Sequence, residues 1–203
     1  MSCELPEALQ DVVTRLSRLP GMGPKSALRV AMTLLSWPEA LTRELGTSIV
    51  QLRDKLHLCN RCGGLSQAVT CPLCSDPTRS QETLCIVTDW DSELTLERGG
   101  FYQGQYLVLG GLISPLENSS ADKLNLDLLD KRLAEGVVSE VIFALGATLE
   151  AENTASFLQG LINSRFPHVR VTRLAQGIPL GSEVKNMDME TLRQSLKYRQ
   201  DLR

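Results

Sequence analysis

The sequence predicts an α/β protein with a helical front, a small four-cysteine metal module and a parallel sheet behind it. Three observations predict this. Apolar residues recur at helical spacing from Leu5 to Leu56, and two Cys-x-x-Cys pairs follow, Cys59/Cys62 and Cys71/Cys74. Beyond Ser80, short apolar runs alternate with helical patterns. At 203 residues, 42 % hydrophobic and 22 % charged, the chain is long enough for one large or two modest domains with a substantial core.

Leu5, Leu9, Val12, Leu16 and Leu19 define a first amphipathic helix, which Pro20-Gly21-Met22-Gly23 ends. Pro24 suits the first turn of a second helix, where a missing N–H costs nothing. That helix is expected to bury Leu28, Ala31 and Leu34 or Leu35. Ser36-Trp37-Pro38-Glu39 reads as a capping box opening a third helix, with Leu41, Leu45, Ile49, Leu52 and Leu56 on its inner face. After the cysteines, residues 84–87, 106–109, 141–145 and 169–171 look like strands buried on both faces. Between them, Leu126, Leu129 and Leu133 mark one helix, and Ala151, Ala155, Leu158 and Ile162 another. Strand–helix alternation implies parallel strands with right-handed crossovers. The tail has a turn at Gly177-Ile178-Pro179-Leu180-Gly181 and a last helix from Met189 to about Arg199.

Charge and hydropathy narrow the function. Glu4, Glu7 and Asp11 occupy the place of a signal peptide's apolar core, and no apolar run approaches the roughly 20 residues of a membrane span, so the cytoplasm is expected. Net charge is −3, yet residues 1–80 carry 9 Lys/Arg against 7 Asp/Glu while residues 81–203 carry 12 against 17. A front near +2 and a back near −5 suit a chain that meets phosphate at one end and something else at the other.

The two Cys-x-x-Cys pairs are separated by eight residues, a spacing at which four thiolates close a tetrahedron around Zn²⁺. Gly63-Gly64 supplies permissive backbone after the first pair, and Pro72 stiffens the second. With no His or carboxylate in the set, all four positions are protein sulfur, and the zinc would be structural. Two disulfides or a redox pair are the competing readings. Cys3 and Cys85 stand outside this set; Cys85, in an apolar run, is expected to be a buried small hydrophobe.

The segment Leu19-Pro20-Gly21-Met22-Gly23-Pro24-Lys25 between two helices has the form of a helix-hairpin-helix module. Gly21 and Gly23 let the backbone bend and leave N–H groups outward as a nest for a phosphate oxygen, and the second helix presents its positive N-terminus to the same point. Lys25 and Arg29, four residues apart, lie on one face. Such contacts grip DNA backbone without reading bases, so binding is expected to be sequence-independent and salt-sensitive. A plain Gly-Pro turn with solvated cations is the alternative.

Four stretches, LPGMGPKSALRVAMTLL, the paired Cys-x-x-Cys with SDPTR, LGGLISPL and VTRLAQGIPLGSE, occur in the order found in RecR, and the chain resembles this family of bacterial recombination mediators from Leu5 to about Lys197. The resemblance implies a helix-hairpin-helix domain over 1–57, a zinc finger over 58–79, a Toprim domain over 80–175 and a subunit-contact segment over 176–203. It implies a homo-oligomer, dimer or tetrameric ring around DNA, and no catalysis. The implied partners are a RecO-like protein and, in many bacteria, a RecF-like one, acting together to load recombinase on single-stranded DNA at gaps in nucleoid-associated repair. Lys25 and Arg29 match its DNA-contacting positions.

Toprim enzymes hold Mg²⁺ with a glutamate after the first strand and an acidic pair after a later one. Here Thr88 takes the glutamate's place, with Asp89 and Asp91 close by. Glu150 and Glu152 are kept, with Ala151 where the family has glycine. The resemblance makes Asp89, Glu150 and Glu152 a docking face for a basic partner, and Mg²⁺ is not expected. Two other readings stand beside it: acids that merely favour a helix dipole, and a Toprim-type Mg²⁺-dependent nuclease or primase. Residues 177–181 resemble a Walker-B-like segment, but no GxxxxGK[ST] occurs, so a turn shaping a subunit contact is expected there.

Overall fold

The computed structural model describes residues 5–114 and 121–199. They fall into two compact units that divide between Lys55 and Leu56. In the first unit, α1 (Glu7–Leu16) and α2 (Pro24–Ser36) pack through Val13, Ala27 and Ala31, with Leu9, Leu16, Met22 and Leu28 partly buried around them. The inward stripe of α1 is therefore Leu9-Val13-Leu16, and Val12, one position off it, is exposed. Pro24 opens α2 as expected.

The third helix, α3 (Glu39–Lys55), has the predicted spacing but not the predicted burial. None of its residues is buried, and Leu41, Leu45, Ile49 and Leu52 are 48, 38, 64 and 57 % exposed. Nor does the capping box form, because Ser36 still belongs to α2 and its Oγ donates to the Thr33 carbonyl at 2.7 Å. The Pro38 carbonyl instead accepts from the N–H groups of Leu41 and Thr42.

The second unit begins with a two-residue antiparallel pair, β1 (His57–Leu58) with β2 (Leu65–Ser66), and a short helix, α4 (Pro72–Ser75). A parallel sheet follows in the order β4-β3-β5-β6, from β3 (Thr83–Val87), β4 (Gln105–Val108), β5 (Glu140–Ala144) and β6 (Arg170–Arg173). Register is fixed by pairs such as Val87 with Val108 and with Ala144. Helices α5 (Trp90–Gly99), α6 (Leu126–Ala134), α7 (Leu149–Arg165) and α8 (Met189–Lys197) complete it. One sheet face packs Leu84, Ile86, Leu107, Val141 and Phe143 against Leu129 and Leu133 of α6 and Leu158 and Ile162 of α7. The other packs Cys85, Val87, Tyr106 and Val108 against Leu96 of α5, Tyr102 and Leu73.

Burial on both faces holds for β3 and β4 but not for β6, an edge strand whose two arginines are exposed. Cys85 is buried as expected, and burial pushes its thiol up to about 12. Cys3 and the last two residues of LGGLISPL lie outside the described residues.

Candidate metal centre and nucleic-acid interface

The sulfur atoms of Cys59, Cys62, Cys71 and Cys74 all lie within 4.8 Å of one another, and all four thiols are free. A tetrahedral zinc site with Zn–S bonds near 2.3 Å separates its sulfurs by about 3.8 Å. The Cys62–Cys71 sulfurs are 3.6 Å apart, so the donor set fits zinc. Backbone N–H groups of Arg61 and Cys71 donate to Cys59 Sγ, that of Gly64 to Cys62 Sγ and that of Cys74 to Cys71 Sγ, at 3.2–3.5 Å. Such donors favour thiolates, the ligand form. Hydrogen bonds with the Cys62 and Cys74 thiols lower the pKa of Cys71, and the bond to Cys71 raises that of Cys62. The four cysteines could thus bind a metal ion, and this geometry is consistent with zinc.

The knuckle lies against the sheet. Val108 N–H donates to the Cys62 carbonyl at 2.7 Å, and Asn125 Nδ2 to the Val108 carbonyl at 2.8 Å. Both predicted glycines matter here for space, and Gly63 for backbone freedom too. A Cβ on Gly63 (φ +72°) would lie 2.6 Å from Asn125 Nδ2, and one on Gly64 2.6 Å from Glu93 Oε2. Glu93 is itself buried, which raises its carboxyl to about 7, with the nearby Cys71 and Glu97 adding to the shift.

Sequence reasoning passed over Arg79, at the end of SDPTR. Its side chain is 5 % exposed and donates to both Glu97 carboxylate oxygens at 2.8 and 3.0 Å, to Gly104 O at 2.8 Å and to Tyr102 O at 3.1 Å. The guanidinium also stands 5.5 Å from the Tyr106 ring centroid. This joins the exit of the cysteine module to α5 and to the start of β4. Only the buried environment distinguishes Arg79 from a surface arginine, and one sequence does not display it.

At the hairpin, Gly21 takes φ +74° and Gly23 is the extended N-cap of α2. Met22 N–H closes the bend onto the Leu19 carbonyl at 3.1 Å, and the first α2 bond runs from Ala27 N–H to Gly23 O at 2.9 Å. The amides of Gly21, Gly23, Lys25 and Ser26 have no backbone partner among the described residues. Lys25 and Arg29 are exposed and without an ion pair among the described residues, as is Arg18. No Asp or Glu occurs between Asp11 and Glu39, a stretch that contains Arg15, Arg18, Lys25 and Arg29. This end can therefore offer free amides and cations to a phosphate without a carboxylate in the same stretch to compete.

The three predicted docking acids all follow the C-terminal ends of neighbouring strands. Asp89 caps α5, accepting from Ser92 N–H at 2.8 Å. Thr148 caps α7, accepting from Ala151 N–H at 3.2 Å, and Glu150 sits in the first turn with no ion pair among the described residues. Glu152 is engaged: Arg173 grips its two oxygens at 2.7 and 2.9 Å, and Gln176 adds a bond at 3.2 Å. Hydrogen bonding from Arg173 holds its carboxyl below the usual range. Thr88, in place of the family glutamate, reaches Leu145 O at 3.4 Å and so ties the two strand-end loops. Among the described residues, the carboxylates of Asp89, Glu150 and Glu152 do not gather as the four sulfurs do.

A helical hairpin with a cation-bearing bend, a tetrathiolate knuckle and a four-stranded parallel sheet with helices on both faces define a helix-hairpin-helix protein of the Toprim class. Comparison with known families agrees. Residues 9–53 match the model described as RecR, helix-hairpin-helix, residues 82–175 the Toprim domain, and residues 177–200 RecR, C-terminal. The chain is 65 % identical to Recombination protein RecR of Nitratidesulfovibrio vulgaris and 50 % to that of Maridesulfovibrio salexigens, covering 98 % of each chain. It is 40 % identical to the protein of that name from Alcanivorax borkumensis over 94 % of both. The chain belongs to the RecR family. No helix among the described residues is long and apolar enough to cross a membrane.

Proposed function

We propose that the protein is a recombination mediator of DNA repair that has no catalysis of its own and acts in the cytoplasm, at the nucleoid. The observation that carries the reading is the hairpin: four amides without a backbone partner among the described residues, beside Lys25 and Arg29, in a stretch free of acids. Gly21, Gly23, Lys25 and Arg29 hold DNA backbone without regard to sequence. Cys59, Cys62, Cys71 and Cys74 hold one structural Zn²⁺. A homo-oligomer, dimer or tetrameric ring, presents several hairpins to one DNA, and residues 177–181 contribute to the subunit contact. Asp89, Glu150 and Glu152 face a RecO-like loader, with a RecF-like protein as a further partner, so that recombinase is delivered to single-stranded DNA at gaps. The division 1–57, 58–79, 80–175 and 176–203 assigns these tasks along the chain.

The engagement of Glu152 by Arg173 supports the non-catalytic reading, because it removes one of the two family-matched carboxylates from ready metal binding. The test is a gel shift across a salt series with and without Mg²⁺. Lys25→Glu with Arg29→Glu is expected to abolish the shift, while wild type binds best at low salt and turns over neither DNA nor nucleotide. Mg²⁺-dependent turnover that disappears in Glu150→Gln or Glu152→Gln would establish an enzyme instead. Binding indifferent to the double reversal would remove the hairpin from the mechanism.

A further inference from the structure

Two helices begin alike on neighbouring strands. After β3 the sequence Asp89-Trp90-Asp91 opens α5, and after β5 Thr148-Leu149-Glu150 opens α7: a polar cap, a large apolar residue, an acid. The caps and acids have a local explanation, since both suit a helix N-terminus. The apolar residues have none. Trp90 is 50 % exposed and Leu149 73 %, each at the first helical position, where neither reaches the core on its own sheet face. The pattern recurs where Asp188-Met189-Glu190 opens α8: Met189 is 81 % exposed, but there the acids are partnered, since a cavity of about 770 Å³ at the ends of β5 and β6 is lined by Glu152 with Arg173 and by Glu190 with Arg193.

Charge decides what such a surface can take. Residues 88–94 and 146–153 carry Asp89, Asp91, Glu93, Glu150 and Glu152 and no Lys or Arg. Glu93 is buried and Glu152 is held by Arg173, which leaves Asp89 and Asp91 exposed and Glu150 half-buried without an ion pair among the described residues. Nucleic acid is repelled by that set, and so is the same edge of a second copy. A basic protein segment is attracted, and the apolar residues give it something to bury. The tie from Thr88 to Leu145 O holds the two loops side by side, so one segment can touch both helix starts.

We infer that Trp90 and Leu149 are the apolar anchors of a protein-docking edge, and that its occupant is a basic segment carrying an apolar side chain among Lys or Arg residues. This rests on the partner assignment made above and adds to it the source of affinity: acids steer the encounter, and the two apolar side chains hold it. The full-length, zinc-loaded protein is titrated calorimetrically with the RecO-like loader of the same organism, at about 0.1 M and 0.5 M salt, where screening separates the two contributions. Trp90→Ala with Leu149→Ala is expected to weaken binding at least tenfold at both salt concentrations and to leave the DNA gel shift unchanged. Asp91→Asn with Glu150→Gln is expected to weaken it chiefly at low salt. Trp90, Leu149 and Asp91 are exposed and Glu150 is half-buried, and unchanged thermal melting confirms the fold of each variant. Equal loader affinity for wild type and the double alanine variant overturns the anchor assignment while leaving the partner assignment standing. A wild type that binds DNA but not the loader overturns both. A change of subunit mass in the alanine variant with loader affinity intact makes the edge a contact between copies, and overturns the inference too.

Discussion

Arg79 shows how much one side chain can hold when it is taken out of water with its partners. Replacing it by Met leaves Glu97 and two carbonyls without their donor, and a loss of about 3 kcal/mol is expected, read from urea denaturation. Glu152 makes a different prediction. Its folded pKa lies below the ordinary carboxylate value, so its pairing stabilises the fold above the unfolded pKa and is lost as pH falls through the folded one. Arg173→Gln should therefore raise the Glu152 titration toward the ordinary range in an NMR pH series and flatten the acid limb of the stability profile. Neither network was legible in the sequence. The four cysteines were, because ligand spacing is a local property; Arg79 meets Glu97 only after the chain has turned back on itself.

At the scale of elements, the cysteine knuckle is also the cover of an open sheet edge. β4 is an edge strand, yet every one of its residues is buried, and Val108 N–H is satisfied by the Cys62 carbonyl. Removal of the metal with a chelator is expected to unfold the knuckle, speed hydrogen exchange at Val108 and promote aggregation through the bared strand, measured by mass spectrometry and light scattering. Unchanged exchange and melting in a verified metal-free form would contradict the structural role. Most elements were readable: four strands and the helices α2, α6, α7 and α8 fall where apolar runs and turn residues place them. α5 was not, since Leu96 is the one α5 residue packed into the sheet's apolar cluster and its beginning and end are set by Asp89 and Gly100 (φ 67°) rather than by a stripe. The sequence shows the apolar face of α3 but not its exposure, because periodicity reveals such a face and not what covers it.

For the whole molecule, segregation of charge is the organising property. The hairpin stretch has cations and no acids, and the stretches 88–94 and 146–153 that follow β3 and β5 have acids and no cations. One hairpin with two cations is a weak ligand for DNA, and the proposed ring raises its strength through effective concentration. A variant that stays monomeric is expected to bind DNA at least ~10-fold more weakly at equal subunit concentration, measured by anisotropy alongside subunit mass. The knuckle's place against β4 has a bearing on the cell as well. If the sheet closes its flank only once the thiolates have captured their ion, the yield of competent protein follows the supply of that nutrient. Starvation for it would then surface as a shortfall in damage tolerance, well before any change in how much of the chain is synthesised.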